Sequence, residues 1–367
     1  MKLSHSKLST ILSCPMSYYL SYEQGIALKD VKPALSIGSA VHYGIEHNTD
    51  DLTEYYNKSA GFKSRDNFTR DQLLAESMVY GYLLHKDEIY KEILKDPKTG
   101  ETLTLLEDTH EVFITAKLDS KLDEKTDFVG IVDLLLLTNK GFIIVDYKTS
   151  SNEPDWTSYL DQIYRYIFLV RSEFPEIPII KIGIINLKKT QIRQKKAENQ
   201  EEFLNRLRFE YRLNDEKYVN YHEYDVDLIE QQKIDDYIKN LSTMCDLATV
   251  IAGSKMFYIN YGNAKNMYGK TDFYDIFYKT DHAHLLYTIS DNVKIDGELV
   301  ERRDCVPIDM LVIEHDNVLN KFKKFEFEWD KSEIYDKTAF FEDLKSRYIT
   351  DDNLLEMYWN TLDEANE

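Results

Sequence analysis

Short apolar, β-branched runs alternate along this chain with longer stretches whose apolar residues recur every three or four positions. That alternation predicts an α/β fold. The first helix is expected over residues 4–24, where Leu8, Ile11, Leu12, Tyr18 and Tyr19 recur at helical spacing and Ser4 or Ser6 supplies a cap. Ser36–Asn48 reads as a second helix. Thr69–Leu94 is a third, with Leu73, Leu74, Met78, Tyr82 and Leu83 on one side. Further helices are expected at Trp156–Arg171, Glu198–Arg212 and Leu228–Ile251. Strands are expected at Glu111–Leu118, Phe128–Leu137, Phe142–Tyr147 and Ile177–Leu187. Asp96-Pro97-Lys98-Thr99-Gly100 is a turn. After about residue 290 the texture changes. Val306–Ile313 and Phe322–Trp329 read as strands there, and Phe340–Tyr348 and Leu354–Leu362 as short helices. The expected architecture is a mixed central sheet flanked by helices over residues 1–290, with an α+β extension of unassigned role over 291–367.

Two strands carry the chemistry. Val129-Gly130-Ile131-Val132 leads into Asp133, and Ile143-Ile144-Val145 leads into Asp146, thirteen positions later. Between them Thr138-Asn139-Lys140-Gly141 reads as a hairpin turn, so the strands fold side by side and the carboxylates converge. An aspartate in such a run is costly unless it is paired or bound to a metal. Lys148 lies two residues after Asp146 and shares its sheet face. Two acids and a lysine at a strand end suit metal-dependent cleavage of a phosphodiester. The acids hold the cation, and the lysine supports an attacking water or the developing negative charge.

The runs Gly130-Ile131-Val132-Asp133 and Ile144-Val145-Asp146-Tyr147-Lys148-Thr149 resemble the core of the PD-(D/E)XK nucleases, in their RecB-like exonuclease branch. Three other segments match that branch in order. Leu3-Ser4-His5-Ser6-Lys7-Leu8, followed by Ser13-Cys14-Pro15-Met16-Ser17-Tyr18-Tyr19, is similar to its N-terminal opening. Gly38-Ser39-Ala40-Val41-His42 resembles its G-x-x-x-H motif, and Gln162-Ile163-Tyr164-Arg165-Tyr166 its Q-x-x-x-Y motif. The likeness spans roughly residues 3–280 and is strong only at these motifs.

The resemblance implies that His42, Asp133, Asp146 and the backbone carbonyl of Tyr147 bind Mg²⁺ or Mn²⁺. A nitrogen ligand suits Mn²⁺ better. Lys148 would be the catalytic lysine. Gln162 and Tyr166 would position the DNA or the attacking water, although one face of an amphipathic helix explains Tyr166 nearly as well. Ser4, Ser6 and Lys7 are candidate phosphate contacts, while the serines also read as helix caps. Many relatives carry an iron–sulfur cluster built from an N-terminal cysteine and three C-terminal ones. Cys14 matches the first, but Asn263–Phe277 stands where the others belong and holds no cysteine. No iron–sulfur cluster is expected, and Cys14 reads as a small buried residue. Packing would then tie the N-terminal segment to the end of the nuclease domain. This puts the aromatic residues of 257–277 near Cys14 and Tyr18.

Ala264 to Thr271 also satisfies a permissive phosphate-loop pattern, ending in Gly269-Lys270-Thr271. However, Lys265, Asn266, Met267 and Tyr268 stand where small residues should let amides cradle a phosphate.

Charge and composition adjust the picture. The net charge of −20 argues against broad DNA binding over the whole surface. Between Lys181 and Arg212, however, nine bases face four acids, a local excess of five that includes Lys188, Lys189 and Arg193 as candidate DNA contacts. A solvated helix face explains that stretch equally well. Three scattered cysteines argue against a disulfide framework. No run spans a membrane and the N-terminus lacks a signal-peptide apolar core, so a cytoplasmic location is expected. The expected function is a divalent-metal-dependent DNA exonuclease in phage or plasmid recombination, repair or processing. DNA would be the partner, with a separate helicase or recombinase beside it and no membrane. Two rivals remain. One is a catalytically silent nuclease-fold scaffold; the other is a nucleotide-binding protein using residues 264–271.

Overall fold

The computed structural model describes residues 2–278, apart from 24–25, 29–32, 61–63, 119–121, 123–125, 151–155, 225–229, 264, 267–268 and 271. Beyond these it describes only 287–289, 294–295 and 298–299. The expected strands and helices after residue 300, and Cys305, lie outside the described residues.

A six-stranded mixed sheet forms the centre. Its strands are β1 (Lys2–Ser4), β2 (Leu105–Lys117), β3 (Asp127–Thr138), β4 (Gly141–Lys148), β5 (Ile179–Leu187) and β6 (Val219–Glu223). The path runs β1–β3–β4–β5–β6, and β2 also pairs with β3. β4 and β5 are parallel, joined by a crossover helix; β3–β4 and β5–β6 are antiparallel. β5 is buried throughout, as a central strand covered on both faces should be.

Helices cover both faces. On one lie α1 (His5–Ser13), α4 (Trp156–Glu173) and α6 (Gln231–Gly253), which bring Leu8, Ile11, Ile163, Ile167, Ile238 and Leu241 onto Leu135, Leu137 and Ile144. On the other lie α2 (Pro33–Glu46), α3 (Arg70–Ile93) and α5 (Gln200–Leu213), which bring Val41, Met78, Val79, Phe203 and Leu207 onto Leu134, Leu136, Ile143 and Val145. Each fully buried aliphatic side chain contributes roughly 1.5–3 kcal/mol. Capping boxes fix two of the starts. Thr69 and Gln72 exchange bonds at α3, and Asn199 and Glu202 do so at α5.

Three expectations change. The helix expected over 4–24 is broken. Its first residue, Ser4, ends β1 opposite Val129, and α1 stops at Ser13 because Pro15 holds Cys14 extended. The first core strand is longer than its pattern suggests and starts at Leu105, because its polar half pairs with β3 all the way to Thr138. β6 and a short helix, Thr53–Ala60, were not expected at all; Val219–Glu223 is too polar to read as a strand without its neighbour β5.

Candidate active site

β3 pairs with β2 along its whole length, so β1 and β4 must share its other edge. β4 takes Leu134–Thr138 and β1 takes Asp127–Val129. Residues 130–133 therefore face a gap between β1 and β4, and Asp133 stands at its mouth. The register that pairs Leu134 with Val145 sets Asp133 opposite Asp146, where the β3–β4 ladder stops. In place of the next ladder bond, Asp133 Oδ2 accepts from Tyr147 N at 2.9 Å. The hairpin thus brings the two aspartates together as the sequence implied.

α2 carries His42 to the same place. This helix passes close to the turn after β4, but a Cβ at Gly38 would meet Thr149 Oγ1 at 3.4 Å, an ordinary contact, so sterics do not demand glycine there. His42 Nε2 lies 3.3 Å from the Tyr147 carbonyl oxygen. Its Nδ1 lies 3.4 Å from Glu111 Oε1 and 3.8 Å from Asp133 Oδ2. Burial opposes the imidazolium, but Asp133, Glu111 and Asp146 outweigh it and hold His42 well above the usual histidine range. Burial, and then the like charge of Asp146, push the Asp133 carboxyl up.

The other side of Asp146 is a closed polar network. Lys148 Nζ stands 2.5 Å from Asp146 Oδ2 and donates to Gln162 Oε1 at 2.9 Å. Gln162 Nε2 donates to Asp146 Oδ1 at 2.8 Å and to the Tyr166 hydroxyl at 2.7 Å; that hydroxyl in turn donates to Asp146 Oδ1 at 3.2 Å. Burial disfavours the ammonium of Lys148, but Asp146 and Asp133 more than compensate and raise its pKa. It therefore stays cationic, 5.0 Å above the Tyr159 ring. Gln162 and Tyr166 lie one turn apart on α4, so both reach the same carboxylate.

The donor set fits a divalent cation. His42, Glu111 and Asp133 offer ligand atoms within 4.8 Å of one another, and Asp146 Oδ2 is buried against the Lys148 ammonium at 2.5 Å. Glu111 was missed by sequence reasoning. Its signal was a charged residue beside the apolar Val112-Phe113-Ile114, opposite Asp133 once the register is known. Its backbone is left-handed, with φ 52°, in the middle of a strand.

The candidate DNA contacts divide. Ser4 caps α1, its Oγ accepting from Lys7 N at 3.3 Å, and Lys7 lies over the Tyr22 ring. Ser6 is exposed. Lys188 and Lys189 follow β5 directly, and Lys189 N donates to Ser150 O, just beyond Lys148. Arg193 is exposed farther along. Three other bases of that stretch are engaged in ion pairs: Lys181 with Glu223, Arg206 with Glu198 and Arg208 with Asp50.

A profile of the PD-(D/E)XK nuclease superfamily matches residues 2–247. The chain belongs to this superfamily. Among solved structures, a candidate exonuclease from Eubacterium rectale is similar at 13% identity, over 68% of this chain and 82% of that one, with a TM-score of 0.44. The structure of SSO0001 is similar at 15% identity, over 57% of this chain and 82% of that one, with a TM-score of 0.19. Neither score is high enough to equate the folds. No curated protein matches.

Away from this site, the N-terminal segment is tied to residues 257–277. Cys14 packs with Phe273 and Phe277, and Phe257 stacks on Tyr19 with centroids 4.8 Å apart. Met16 N donates to Tyr258 O, and Asn260 and Asn263 both donate to the Ser13 carbonyl. Within the phosphate-loop pattern, Lys265–Asn266 pairs with Gly269–Lys270 as a minimal hairpin. A hairpin is not the strand, open loop and helix that cradle a phosphate. No helix among the described residues is long and apolar enough to cross a membrane.

Proposed function

We propose that the protein is a divalent-metal-dependent deoxyribonuclease of the RecB-like branch, acting on DNA ends. One observation carries the reading. The lysine–aspartate–glutamine–tyrosine network is complete and largely shielded from solvent beside a histidine and two further acids, at a gap in the sheet. A scaffold has no use for so costly a constellation, which argues against the silent-subunit alternative.

His42, Asp133, Asp146 and the Tyr147 carbonyl would hold the cation. When bound, Mg²⁺ or Mn²⁺ supplies Lewis acidity and a water of lowered pKa. Asp146 and Gln162 aim the Lys148 ammonium, which stabilises negative charge building on the phosphate. Tyr166 fixes Gln162 and Asp146 together and limits reorganisation during the reaction. Lys188, Lys189 and Arg193 would guide the strand away from the site, with Ser6 and Lys7 on the opposite lip. The substrate would be phage or plasmid DNA, with a separate helicase or recombinase as partner.

The test uses end-labelled single- and double-stranded DNA with Mg²⁺ or Mn²⁺. Cleavage by the wild type and none by Asp146→Ala is expected, and undiminished cleavage by that variant would sink the assignment. His42→Ala should weaken metal binding, and Mn²⁺ should support cleavage at least as well as Mg²⁺.

A further inference from the structure

We propose that the cavity between α1, α4 and α6 receives one unpaired nucleobase of the DNA strand being cut. This rests on the deoxyribonuclease reading above and narrows its substrate to a strand with a single-stranded end.

Three helix stripes build the cavity. α1 turns His5, Ser9 and Leu12 toward it, α4 turns Asp161 and Arg165, and α6 turns Tyr237 and Met244. Within each helix these residues recur at three, four or seven positions, so they share one face. The space measures about 440 Å³. Ligand pockets run from roughly 300 to 1,000 Å³, so a base with its sugar fits here and a base pair inside its duplex does not.

Position links the cavity to the candidate active site. Asp161 and Arg165 stand one residue before Gln162 and Tyr166, on the neighbouring face of α4. On the opposite wall His5 directly follows Ser4, the last residue of β1, and β1 borders the gap at whose mouth Asp133 stands. His5 lies near enough to Lys148 to feel its charge. A strand whose phosphate rests at Lys148 therefore has a neighbouring base within reach of the cavity.

Charge and polarity decide what enters. Arg165 is buried, pairs with Asp161 and donates from Nε to the Tyr237 hydroxyl at 3.2 Å. Its charge is thus balanced by Asp161. Burial and then Arg165 push His5 down to about 4 against the pull of Asp161, so its imidazole is neutral at pH 7. The lining keeps no net positive charge for a phosphate. It offers apolar surface from Leu12 and Met244, an aromatic ring at Tyr237, and hydrogen-bonding groups at the mouth, where Ser9 and Asp161 are exposed. A flat, uncharged ring edged with donors and acceptors matches that mixture. In a duplex such a ring is paired and stacked; at a single-stranded end it is free to turn in.

The experiment measures binding of a labelled single-stranded oligonucleotide to the full chain by fluorescence anisotropy, with no divalent cation, so that nothing is cut. An abasic nucleotide replaces each position of the strand in turn. One position should weaken binding at least about fivefold, the loss of one stacked base. Ser9→Trp puts an indole at an exposed helix position on the cavity wall and should weaken binding of the intact strand by a similar factor. Within that variant the abasic nucleotide should cost nothing more, because both changes remove the same contact. Circular dichroism checks the fold. Should Ser9→Trp fail it, Met244→Ala takes its place, with a smaller loss and the same lack of additivity expected. Full additivity in the folded variant, or a strand with no sensitive position, would overturn the assignment. Binding that Ser9→Trp leaves unchanged would do so too, and would leave the cavity to a side chain of a partner protein. The two readings fail separately. A sensitive position that Ser9→Trp abolishes, in a protein that never cuts DNA, would keep the cavity's role and remove the nuclease. Cleavage with Mn²⁺ by a chain whose binding ignores both changes would do the reverse.

Discussion

The two ends of the β3–β4 hairpin solve the same problem in opposite ways. Both bury polar groups at the end of an apolar ladder. At the turn the partners are few: the turn itself and the single segment 96–104 that leads into β2. Thr138 Oγ1 donates to Gly141 O at 2.8 Å, Asn139 accepts from Thr104 N, and Lys140 pairs with Asp96 at 2.5 Å. At the open end the partners come from several elements. Asp133 and Asp146 need partners from α2, α4 and β2, together with the backbone of Tyr147. Satisfied by one neighbouring segment, polar groups stabilise a turn. Gathered from several elements and left with an excess of negative charge, they make a site that invites a cation.

The largest break in that contrast should come from Asp146→Ala. Cleavage should fall by at least about 10³-fold while the melting temperature stays near wild type, because the network lies at the edge of the core and not inside it. Single-turnover cleavage and a thermal melt together decide the point. Gly141→Ala should show the opposite profile. Gly141 has φ 144°, and a Cβ there would meet Pro178 O at 2.3 Å. Stability should drop by about 2–4 kcal/mol in urea unfolding, with the activity of the folded fraction intact.

Gln162→Ala should be intermediate, slowing cleavage roughly 10–100-fold without weakening DNA binding, since it frees Lys148 and Asp146 to wander. A rise in KM with unchanged kcat would instead make Gln162 a substrate contact.

Lys140→Ala should matter least, by under about 1 kcal/mol, because the lysine is half-exposed. A pH series sharpens it. Burial raises the Asp96 carboxyl, but Lys140 and the amides of Thr99 and Lys98 outweigh this and hold it below the ordinary carboxylate range. A lowered folded pKa means that Asp96 contributes fully above about pH 4 and loses its contribution as pH falls through that lowered value. Unfolding of wild type and Lys140→Ala should therefore differ at pH 7 and converge in acid.

The N-terminal lock adds a second contrast. The acids of the candidate site stand where the sequence implied, whereas Asn263–Phe277 holds no cysteine. Apolar contact among Cys14, Phe273 and Phe277, with Asn260 and Asn263 bonding Ser13, joins the same two segments. Tethering can be done by many side chains, because burial is nonspecific. Holding charged groups in one fixed arrangement cannot.

The sequence by itself determined the sheet's core strands, the helices over them, and the meeting of Asp133, Asp146 and Lys148. These follow from periodicity, from a short hairpin and from the two-residue pleat, all of them local rules. The resemblance to the RecB-like branch also pointed to His42, Gln162 and Tyr166. Tertiary structure alone decided the rest. β1 and β6 became strands because a neighbouring edge offered unpaired hydrogen bonds, which no local pattern records. Lys181 and Arg208 left the basic stretch because the distant acids Glu223 and Asp50 reached them, while Glu198 within the stretch took Arg206. Glu111 came to face His42 only through the long-range register of β2 on β3 and one left-handed backbone angle. Register between strands joined by a long connection is set by the packing of the whole sheet, so it becomes legible only once the chain has folded.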